Sequence, residues 1–527
     1  MKKYVQNIGA DLPASIVVFL IAIPLCLGIA VASGLNEFSG IIGGVVGGIV
    51  IGLLSGSQLS VSGPAAGLTA IVAAAVLKLP AAEAFFLAVV IAGVFQVLLG
   101  IFKLGIIGDY IPNSVIKGML AAIGIILILK QLPHLVGYDQ DFEGDEAFIQ
   151  LSGENTFSAV VNSINHLTPV AVLIGTLGIL ILVLYESPWI KSKKIFQIIS
   201  GPLVVVLMGI AISIFTKGIP KSYALDAGQL VNIPVANSAA EFFSFFHLPD
   251  WSYINNVDVW VTAFTLALVA SLETLLGLEA VDKLDPLKRV SPTNRELLAQ
   301  GSGNIVSGLL GGLPLTSVIV RSSANLQAGA KTKASAIMHG LLLFVCVAFV
   351  PNILNIIPKA ALAAILIFTG YKLARPSLIK EYFKKGWEQF MPFIVTILAI
   401  VLTDLLKGVL IGIGLGIFYI IRSNFRTSVI LVNDNSHYLI RLRKDISFFS
   451  KPVLKAKLES VPSNSSLLID VTRAEFIDKD VIDTINEFMQ HAHLKNISVD
   501  LKKSTYHPLH ELVQINTPEE PKDDNAH

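Results

Sequence analysis

Two stretches of this sequence interrupt apolar segments in the same way: Gly56-Ser-Gln-Leu-Ser-Val-Ser-Gly-Pro-Ala-Ala-Gly-Leu-Thr69 and Gly311-Gly-Leu-Pro-Leu-Thr-Ser-Val-Ile-Val-Arg321. Each stretch places glycine and proline directly before a short apolar run, where glycine frees the backbone and proline can occupy the first helical position. We expect each stretch to enter a membrane in extended form and to begin a helix near the middle of the bilayer. Irregular backbone is tolerated at that depth only where it is buried in protein or lines a cavity.

The composition places these stretches in a membrane protein. Of the 527 residues, 53% are hydrophobic and 15% are charged, whereas an average soluble domain has about 25% charged residues. The net charge of +1 gives no basic excess for a nucleic-acid partner. Both cysteines lie in apolar segments, which argues against a disulfide framework. The first apolar segment has no signal-peptide cleavage pattern, so we interpret it as a retained helix.

Fourteen apolar segments of about the length that crosses a bilayer precede a soluble C-terminal region. Their approximate ranges are 12–33, 39–55, 60–77, 84–102, 112–132, 167–185, 196–215, 258–280, 295–311, 315–327, 334–350, 354–371, 389–404 and 406–422. Lysine and arginine concentrate in the loops after spans six, eight, ten and twelve, whereas the loop after span five has six acidic residues and no lysine or arginine. Because cytosolic loops carry the positive excess, this pattern predicts an even number of spans with both termini cytosolic.

The two Gly-Pro stretches lie in spans three and ten, which is the same position in two halves of seven spans. Since seven is odd, the second half is inverted relative to the first, and the two short helices would aim their N-termini at each other near the bilayer centre. Free N–H groups and positive dipole ends would converge there, which predicts an anion site. The alternative is a pair of Gly/Pro kinks that only pack helices together.

Two isolated charges lie in predicted spans. Arg321 is the only charged residue of 314–327, and Glu273 is the only one of 260–277. Ionisable side chains inside a membrane are costly and are commonly functional. Arg321 would add positive potential behind the anion site, while Glu273 could take a proton or help to hold Na⁺. The alternatives are a snorkelling arginine, a structural ion pair between the two, or a glutamate that only packs helices.

Pro24, inside the first span, frees a backbone carbonyl and predicts a kink that would turn Leu25 and Cys26 towards the site. The histidines form no spaced metal-ligand set, and the sequence contains no catalytic or nucleotide-binding motif. We therefore expect neither a metal cofactor, nor an enzyme, nor an ATP-driven pump.

The sequence becomes ordinary soluble sequence near residues 422–426. From about 428 to 516, short strand patterns alternate with a helical pattern at 480–491, which predicts a small cytosolic α/β domain. The tail 517–527, rich in proline and acidic residues, is expected to be disordered. Segment 373–387 has the pattern of an amphipathic surface helix whose basic residues suit anionic headgroups, with a plain connecting loop as the alternative.

Together these motifs resemble the SulP family of inorganic anion transporters. The motifs that carry the resemblance are Asp11-Leu-Pro-Ala, Ser62-Gly-Pro-Ala-Ala-Gly-Leu-Thr69, Asn294-Arg-Glu-Leu-Leu-Ala-Gln-Gly-Ser-Gly-Asn304, and Gly311-Gly-Leu-Pro314 with Arg321. The segment Leu468-Ile-Asp-Val-Thr-Arg-Ala-Glu-Phe-Ile-Asp478 is similar to STAS domains. The resemblance covers nearly the whole chain.

The resemblance implies a polytopic α-helical membrane protein of fourteen spans, built as a seven-plus-seven inverted repeat. The transporter domain would be residues 1–426, and the STAS-like domain residues 428–516. Spans 1–4 and 8–11 would form a mobile core, spans 5–7 and 12–14 a gate, and the core would move like an elevator. It also implies a homodimer in the cell inner membrane whose partners are the lipid bilayer and a small inorganic anion.

By position, the resemblance implies that the anion is bound mostly through backbone groups. The candidate binding residues are Leu25, Cys26, Ala66, Gly67, Ser317, Val318, Ile319 and Arg321, and those for the coupling ion are Glu273 and Gly277. Sodium-coupled bicarbonate members resemble this pattern but have a hydroxyl residue at the position of Gly277. That difference favours a proton over Na⁺ at Glu273.

We therefore expect secondary active transport of a small oxyanion, bicarbonate or sulfate, coupled to H⁺ or Na⁺. Three other functions stay open: an anion channel or exchanger without cation coupling, a dicarboxylate transporter, and a nucleobase permease on the same fold. Fixed coupling ratios would separate a carrier from a channel, and competition by uracil would indicate the permease.

Overall fold

The computed structural model describes residues 2–141, 148–149, 153–191, 200–216, 224–236, 238–504 and 513. The tail 517–527, and the loop lysines Lys193 and Lys194, lie outside these described residues. The chain divides into two compact units, Met1–Gly414 and Leu415–His527. The division falls inside the helix Leu405–Ser428, earlier than the change in hydropathy near residue 422.

The first unit, here called the membrane unit, is helical. Its helices of eight or more residues are α1 (Lys2–Ala32), α2 (Glu37–Val46), α3 (Thr69–Lys78), α4 (Ala82–Ile101), α5 (Asn113–Leu135), α6 (Thr156–Ser163), α7 (Pro169–Tyr185), α8 (Gly201–Phe215), α9 (Val257–Leu284), α10 (Thr293–Leu309), α11 (Ile319–Gln327), α12 (Ala334–Phe349), α13 (Lys359–Leu373), α14 (Pro376–Lys384), α15 (Trp387–Leu402) and α16 (Leu405–Ser428). A π-helical turn, Gly47–Ile51, and the turn Gly52–Leu54 extend α2. Each of the fourteen predicted spans overlaps one of these helices.

Length and hydropathy support a polytopic membrane protein. Seven of the described helical segments are long and apolar enough to cross a bilayer, and five shorter helices are also apolar. Helices α10 and α11 fall in neither group, because polar side chains such as Gln300 and Asn304 interrupt α10 and because α11, which contains Arg321, has only nine residues. Those polar residues contact the strand pair of the candidate site described below.

Glycines bring three pairs of helical segments into close contact. The pairs are Gly93–Gly301 between α4 and α10, Gly48–Gly340 between the extension of α2 and α12, and Gly124–Gly370 between α5 and α13. A Cβ added to Gly93 would lie 2.6 Å from the Gly301 carbonyl oxygen, and the reverse distance is also 2.6 Å. Small residues permit this approach between helices that gain little from excluding water.

The two Gly-Pro stretches meet as a small antiparallel sheet of β1 (Ser62–Pro64) and β2 (Leu315–Ser317). Ser62 pairs with Ser317, and Gly63 pairs with Thr316. β1 continues through a 3₁₀ turn, Ala66–Leu68, into α3, and β2 continues through Val318 into α11. Both helices thus begin from extended backbone, as the sequence predicted.

The C-terminal unit contains a four-stranded sheet in the order β3-β4-β5-β6. Its strands are β3 (Val429–Asp434), β4 (His437–Ile446), β5 (Ser466–Ile477) and β6 (Ser498–Lys502), and its helices are α17 (Lys451–Glu459) and α18 (Lys479–His491). β3 and β4 are antiparallel, while β4, β5 and β6 are parallel. The predicted strands and helix 480–491 are confirmed. Helix α17 was not predicted, because only Leu454 and Leu458 of its side chains are buried and the apolar pattern is short.

Candidate functional site

The strand pair and the helices that follow it line a cavity of about 40 Å³. Its lining residues come from both Gly-Pro stretches and from α5, α9 and α16; they are Ala65, Ala66, Gly67, Ile123, Glu273, Thr316, Ser317, Val318, Ile319, Val320 and Leu405. One water needs roughly 10–15 Å³ on this scale. The cavity therefore has room for about three waters, or for one small polyatomic ion.

The backbone at this cavity has hydrogen-bond donors to offer. Val318 precedes α11 with ψ 116°, and Ala65 precedes the turn Ala66–Leu68 with ψ 132°, and no side chain caps either helical start. The first turn of a helix leaves N–H groups without intrahelical partners and carries the positive end of the helix dipole. Since alanine, valine and isoleucine side chains contain no polar atoms, an anion at these helical starts would be bound mostly through the backbone. Thr316 also lines the cavity, and its buried Oγ1, which has no hydrogen-bond partner among the described residues, could donate as well.

Glu273 places a carboxyl group at the same cavity. Its side chain comes from α9, and the residue is only 6% exposed. A Cβ on Gly67 would collide with this carboxyl group, so the absence of a side chain at Gly67 lets Glu273 lie against the start of the helix. A carboxylate repels an anion beside it, whereas the protonated form does not. Binding of an anion and of a proton would therefore favour each other here.

One turn further along α9, Gly277 packs against the backbone of β2. A Cβ on Gly277 would collide with the Ser317 carbonyl oxygen. The Ser317 N–H donates to Thr274 Oγ1 at 3.4 Å, and Ser317 Oγ lies 2.7 Å from Ser60 Oγ. The β2 backbone thus occupies the space that a hydroxyl side chain at position 277 would need.

Arg321 lies behind the strand pair. Arg321 is fully buried, and its Nη2 donates to Cys26 Sγ at 3.3 Å. A Cβ on Gly63 would collide with its Nη1. Among the described residues, no carboxylate oxygen lies within 4.0 Å of the guanidinium, and Nε and Nη1 have no hydrogen-bond partner. The positive charge of Arg321 is therefore uncompensated by direct contact among the described residues, and its guanidinium lies against Gly63 of β1.

The structure brings six of the ten predicted site residues to the cavity: Ala66, Gly67, Glu273, Ser317, Val318 and Ile319. Leu25, Cys26, Gly277 and Arg321 do not line it. α1 continues as helix through Pro24, and Cys26 faces Arg321 instead of the cavity. Any part that these four residues have in binding stays a prediction.

A line of polar side chains on α10, which we did not predict as part of the site, binds the strand pair from the opposite side. Asn304 Oδ1 accepts from the Leu315 N–H at 2.6 Å, and Asn304 Nδ2 donates to the Leu315 carbonyl at 3.1 Å. One turn earlier, Gln300 Nε2 donates to Ser62 Oγ at 2.6 Å. Asn304 therefore fixes β2, and Gln300 fixes β1.

Glu296, a further turn earlier on α10, completes this polar stripe. Its carboxylate accepts from Gln300 Nε2 at 3.0 Å and from Ser55 Oγ at 2.5 Å. The residue is fully buried. Polar residues at 296, 300 and 304 share one helical face, and that spacing within a predicted span is the signal that would have identified them. Ile123 and Leu405 had no comparable signal, because they resemble any apolar residue of a spanning helix.

A larger cavity of about 550 Å³ lies elsewhere in the membrane unit, lined by residues of α1, α7, α8, α11 and α13. Several helices of eight or more residues contribute described residues to this lining. Of these helices, only α8 has its first residue at the wall of the cavity. Two facing helix starts occur at the smaller cavity. We therefore place the candidate site there.

Two solved structures share this architecture. The transmembrane domain of a cyanobacterial bicarbonate transporter, BicA, is 25% identical, with a TM-score of 0.56 over 76% of this chain and 97% of that chain. The murine Solute Carrier 26 family member A9 anion transporter, in its inward-facing state, is 17% identical, with a TM-score of 0.63 over 93% of this chain and 85% of that chain. The second likeness shows the fold alone.

The sequence comparisons agree with the fold. YvdB of Bacillus subtilis (strain 168), a proposed sulfate transporter, is 28% identical over 445 residues, which cover 84% of this chain and 79% of YvdB. The model of the sulfate permease family matches residues 8–410. Because that match covers well over half of the sequence, the chain belongs to the sulfate permease family.

Proposed function

We propose that this chain is a secondary active transporter of a small inorganic oxyanion of the sulfate or bicarbonate type, which binds in the cavity beside β1 and β2. The observation that carries the proposal is the meeting of two helical starts without side-chain caps at one cavity inside a membrane unit. The names of YvdB and BicA, a sulfate and a bicarbonate transporter, support this class of anion.

The size of the cavity distinguishes the candidate substrates. About 40 Å³ suits a single-centre oxyanion such as sulfate or bicarbonate. A dicarboxylate or a nucleobase is larger and would extend beyond a cavity of this volume. The volume therefore favours the inorganic anions over the dicarboxylate and nucleobase alternatives.

We propose a proton as the coupling ion, with Glu273 as its acceptor. When Glu273 is protonated, its repulsion of the anion is removed, so that the two ligands are carried together. A Na⁺ ion would need oxygen ligands around it. Gly277 supplies no side-chain oxygen, and the Ser317 carbonyl is the backbone oxygen that β2 presents beside it, whereas a proton needs only the Glu273 carboxyl group.

We propose that the fourteen helical segments form a seven-plus-seven inverted repeat, and the glycine contacts support this. Gly48–Gly340 joins spans two and eleven, and Gly93–Gly301 joins spans four and nine. These two pairs become equivalent when the halves are exchanged. The α5–α13 contact joins spans five and twelve, and the β1–β2 contact joins spans three and ten. Each of these contacts is between equivalent spans of the two halves, so exchanging the halves leaves it unchanged.

The lining of the cavity supports an elevator-like mechanism. Most of it comes from spans three, eight and ten, which belong to the proposed core, whereas Ile123 comes from span five and Leu405 begins α16, the helix of span fourteen; both spans belong to the proposed gate. A substrate at such a boundary would be carried across when the core moves against the gate. The four-stranded sheet and amphipathic α18 support a STAS-like C-terminal domain, which we propose to be cytosolic, in a homodimer of the cell inner membrane.

Uptake into proteoliposomes tests this function. The protein is reconstituted, and uptake of labelled sulfate, bicarbonate and fumarate is measured under separate H⁺ and Na⁺ gradients. We expect an inward H⁺ gradient to drive accumulation of one inorganic anion and a Na⁺ gradient to have no effect. Uptake without dependence on either cation, together with an ohmic anion current, would favour the channel instead. Preferred uptake of fumarate would reject the size argument.

A further inference from the structure

The short helix α14 follows α13 directly and has three different faces. Its inner face is fixed by Tyr382, which is buried, stacks on Phe393 with ring centroids 4.5 Å apart, and donates from its hydroxyl to the Asn113 carbonyl at 3.4 Å. Because residues four apart share a helical face, the residues of the other two faces can be assigned from the sequence. The helix is thus anchored to the membrane unit, and its other faces point outwards.

One outward face is apolar. Ile379 and Phe383, four residues apart, are 44% and 63% exposed, and Trp387 at the start of α15 is 59% exposed. The Phe383 and Trp387 rings lie 5.3 Å and 5.8 Å from that of Phe390. Aromatic residues at the end of a spanning helix are typical of the membrane–water interface.

The neighbouring outward face is basic. Lys380 and Lys384 are exposed, and neither has an ion-pair partner among the residues that the structure describes. Lys385 is already paired with Glu381 at 2.6 Å. An apolar face beside a basic face is the arrangement of a helix that lies in the plane of an anionic bilayer surface.

A cleft of about 410 Å³ lies between the end of α13 and the start of α14. Phe368 and Tyr371 form its apolar side, while Lys372 and Arg375 supply positive charge and Glu186 supplies one negative charge. Lys372 pairs with Glu186 and lies 4.6 Å from the centre of the Phe368 ring. Arg375 is exposed and has no ion-pair partner in the described part of the chain.

We propose that this cleft and the basic face of α14 form a binding site for an anionic phospholipid, with its phosphate beside Arg375 and its acyl chains along Ile379 and Phe383. The charge and the apolar stripe select a lipid over a free phosphate, because only a lipid satisfies both faces. Each basic residue near a membrane surface favours anionic lipid by about fivefold. The proposal does not depend on the transport activity.

Quenching of Trp387 fluorescence by brominated lipids tests the site. The other three tryptophans are replaced in the variant Trp189→Phe, Trp251→Phe, Trp260→Phe, so that Trp387 alone reports the lipid beside it. Brominated phosphatidylglycerol and brominated phosphatidylcholine are compared in mixed bilayers. Because three basic residues contribute, we expect phosphatidylglycerol to be preferred near Trp387 by well over about fivefold, and Arg375→Gln to reduce the preference by about fivefold.

The triple change Arg375→Gln, Lys380→Gln, Lys384→Gln should abolish the preference, and all three side chains are exposed, so the fold should tolerate it. Lys103→Gln is the matched control, since Lys103 is an exposed basic residue at the end of a different helix; it should leave the preference unchanged. Equal quenching by both lipids would overturn the proposal. A preference for phosphatidylcholine, or loss of the preference on adding inorganic phosphate, would also overturn it.

Discussion

On the side that faces the cavity, the β1–β2 strand pair presents mostly backbone and apolar side chains, and Glu273 is the one carboxyl group among the described lining residues. On the side that faces α10, Glu296, Gln300 and Asn304 form a chain of hydrogen bonds that ends on the two strands. Both sides contain a buried glutamate. The two glutamates nevertheless have different surroundings: Glu296 accepts bonds from two side chains, whereas Glu273 lies beside a cavity and two helical starts.

This difference indicates that the α10 side supports the strand pair and that the cavity side binds the ligand. Buried polar groups that are fully hydrogen-bonded make a structure rigid and specify one arrangement. Rigid strands can then hold their N–H donors in fixed positions for a ligand without reorganisation when it binds. We infer that the α10 side fixes the geometry and that the cavity side uses it. Substitutions on the two sides should therefore affect different measurements.

The largest effect is expected from filling the cavity with Gly67→Val. The new Cβ would displace the Glu273 carboxyl group, and its methyl groups would enter a space of only about 40 Å³. We expect the initial rate of anion uptake to fall by roughly 100-fold, as misplaced reacting groups commonly cause. Gly414→Val is the matched control, because nothing lies within 4 Å of a Cβ at Gly414. Normal uptake by the Gly67 variant would remove the cavity as the substrate site.

Exchanging the two glutamates for glutamine tests their separate roles. Glu273→Gln should abolish the dependence of uptake on the H⁺ gradient, because the amide cannot take the proton. Glu296→Gln should keep that dependence but lower stability by about 1–3 kcal/mol, since one of its two accepting oxygens becomes a donor. Uptake and thermal unfolding are measured for both variants. If Glu273→Gln keeps its response to the gradient, Glu273 is structural and the proposed coupling is wrong.

Asn304→Ala should weaken the support of β2. It removes both bonds to Leu315 and leaves a buried N–H and carbonyl unpaired, which should cost about 2–4 kcal/mol of stability. The apparent affinity for the anion should also fall, because β2 leads into the start of α11. Ser302→Ala is the control on the same helix: Ser302 bonds only within α10, to the Leu298 carbonyl at 2.8 Å, and its loss should change stability by under about 0.5 kcal/mol. Equal effects of the two changes would mean that the α10 stripe does not position the strands.

Much of the cavity side could be predicted from sequence, because its signal is composition. Glycine and proline before a short apolar run, at the same place in two halves, predicted the extended backbone and the two helical starts. A single charge in an apolar span marked Glu273. These features do not depend on which elements are neighbours, so one sequence was sufficient to identify them.

The α10 side depends on neighbours and was therefore harder to predict. Gln300 and Asn304 gain their meaning only from Ser62 and Leu315, which are far away in the chain. The placement of Arg321 shows the same limit. Its isolation in an apolar stretch indicated importance, but the side chain lies on the Cys26 side of β1 and does not line the cavity.

The smallest effect is expected at Arg321, whose guanidinium lies against Gly63 of β1 and does not line the cavity. Arg321→Ala should weaken the apparent anion affinity by roughly tenfold, which corresponds to about 1.4 kcal/mol. Arg321→Lys keeps the charge and should restore most of that affinity, even though it cannot reproduce the geometry of a guanidinium. Competition binding of the anion to the purified variants measures this without transport. If Arg321→Lys and Arg321→Ala weaken binding equally, the guanidinium acts by packing against Gly63 and not through its charge. Arg321 would then support the strand pair, as the residues of α10 do.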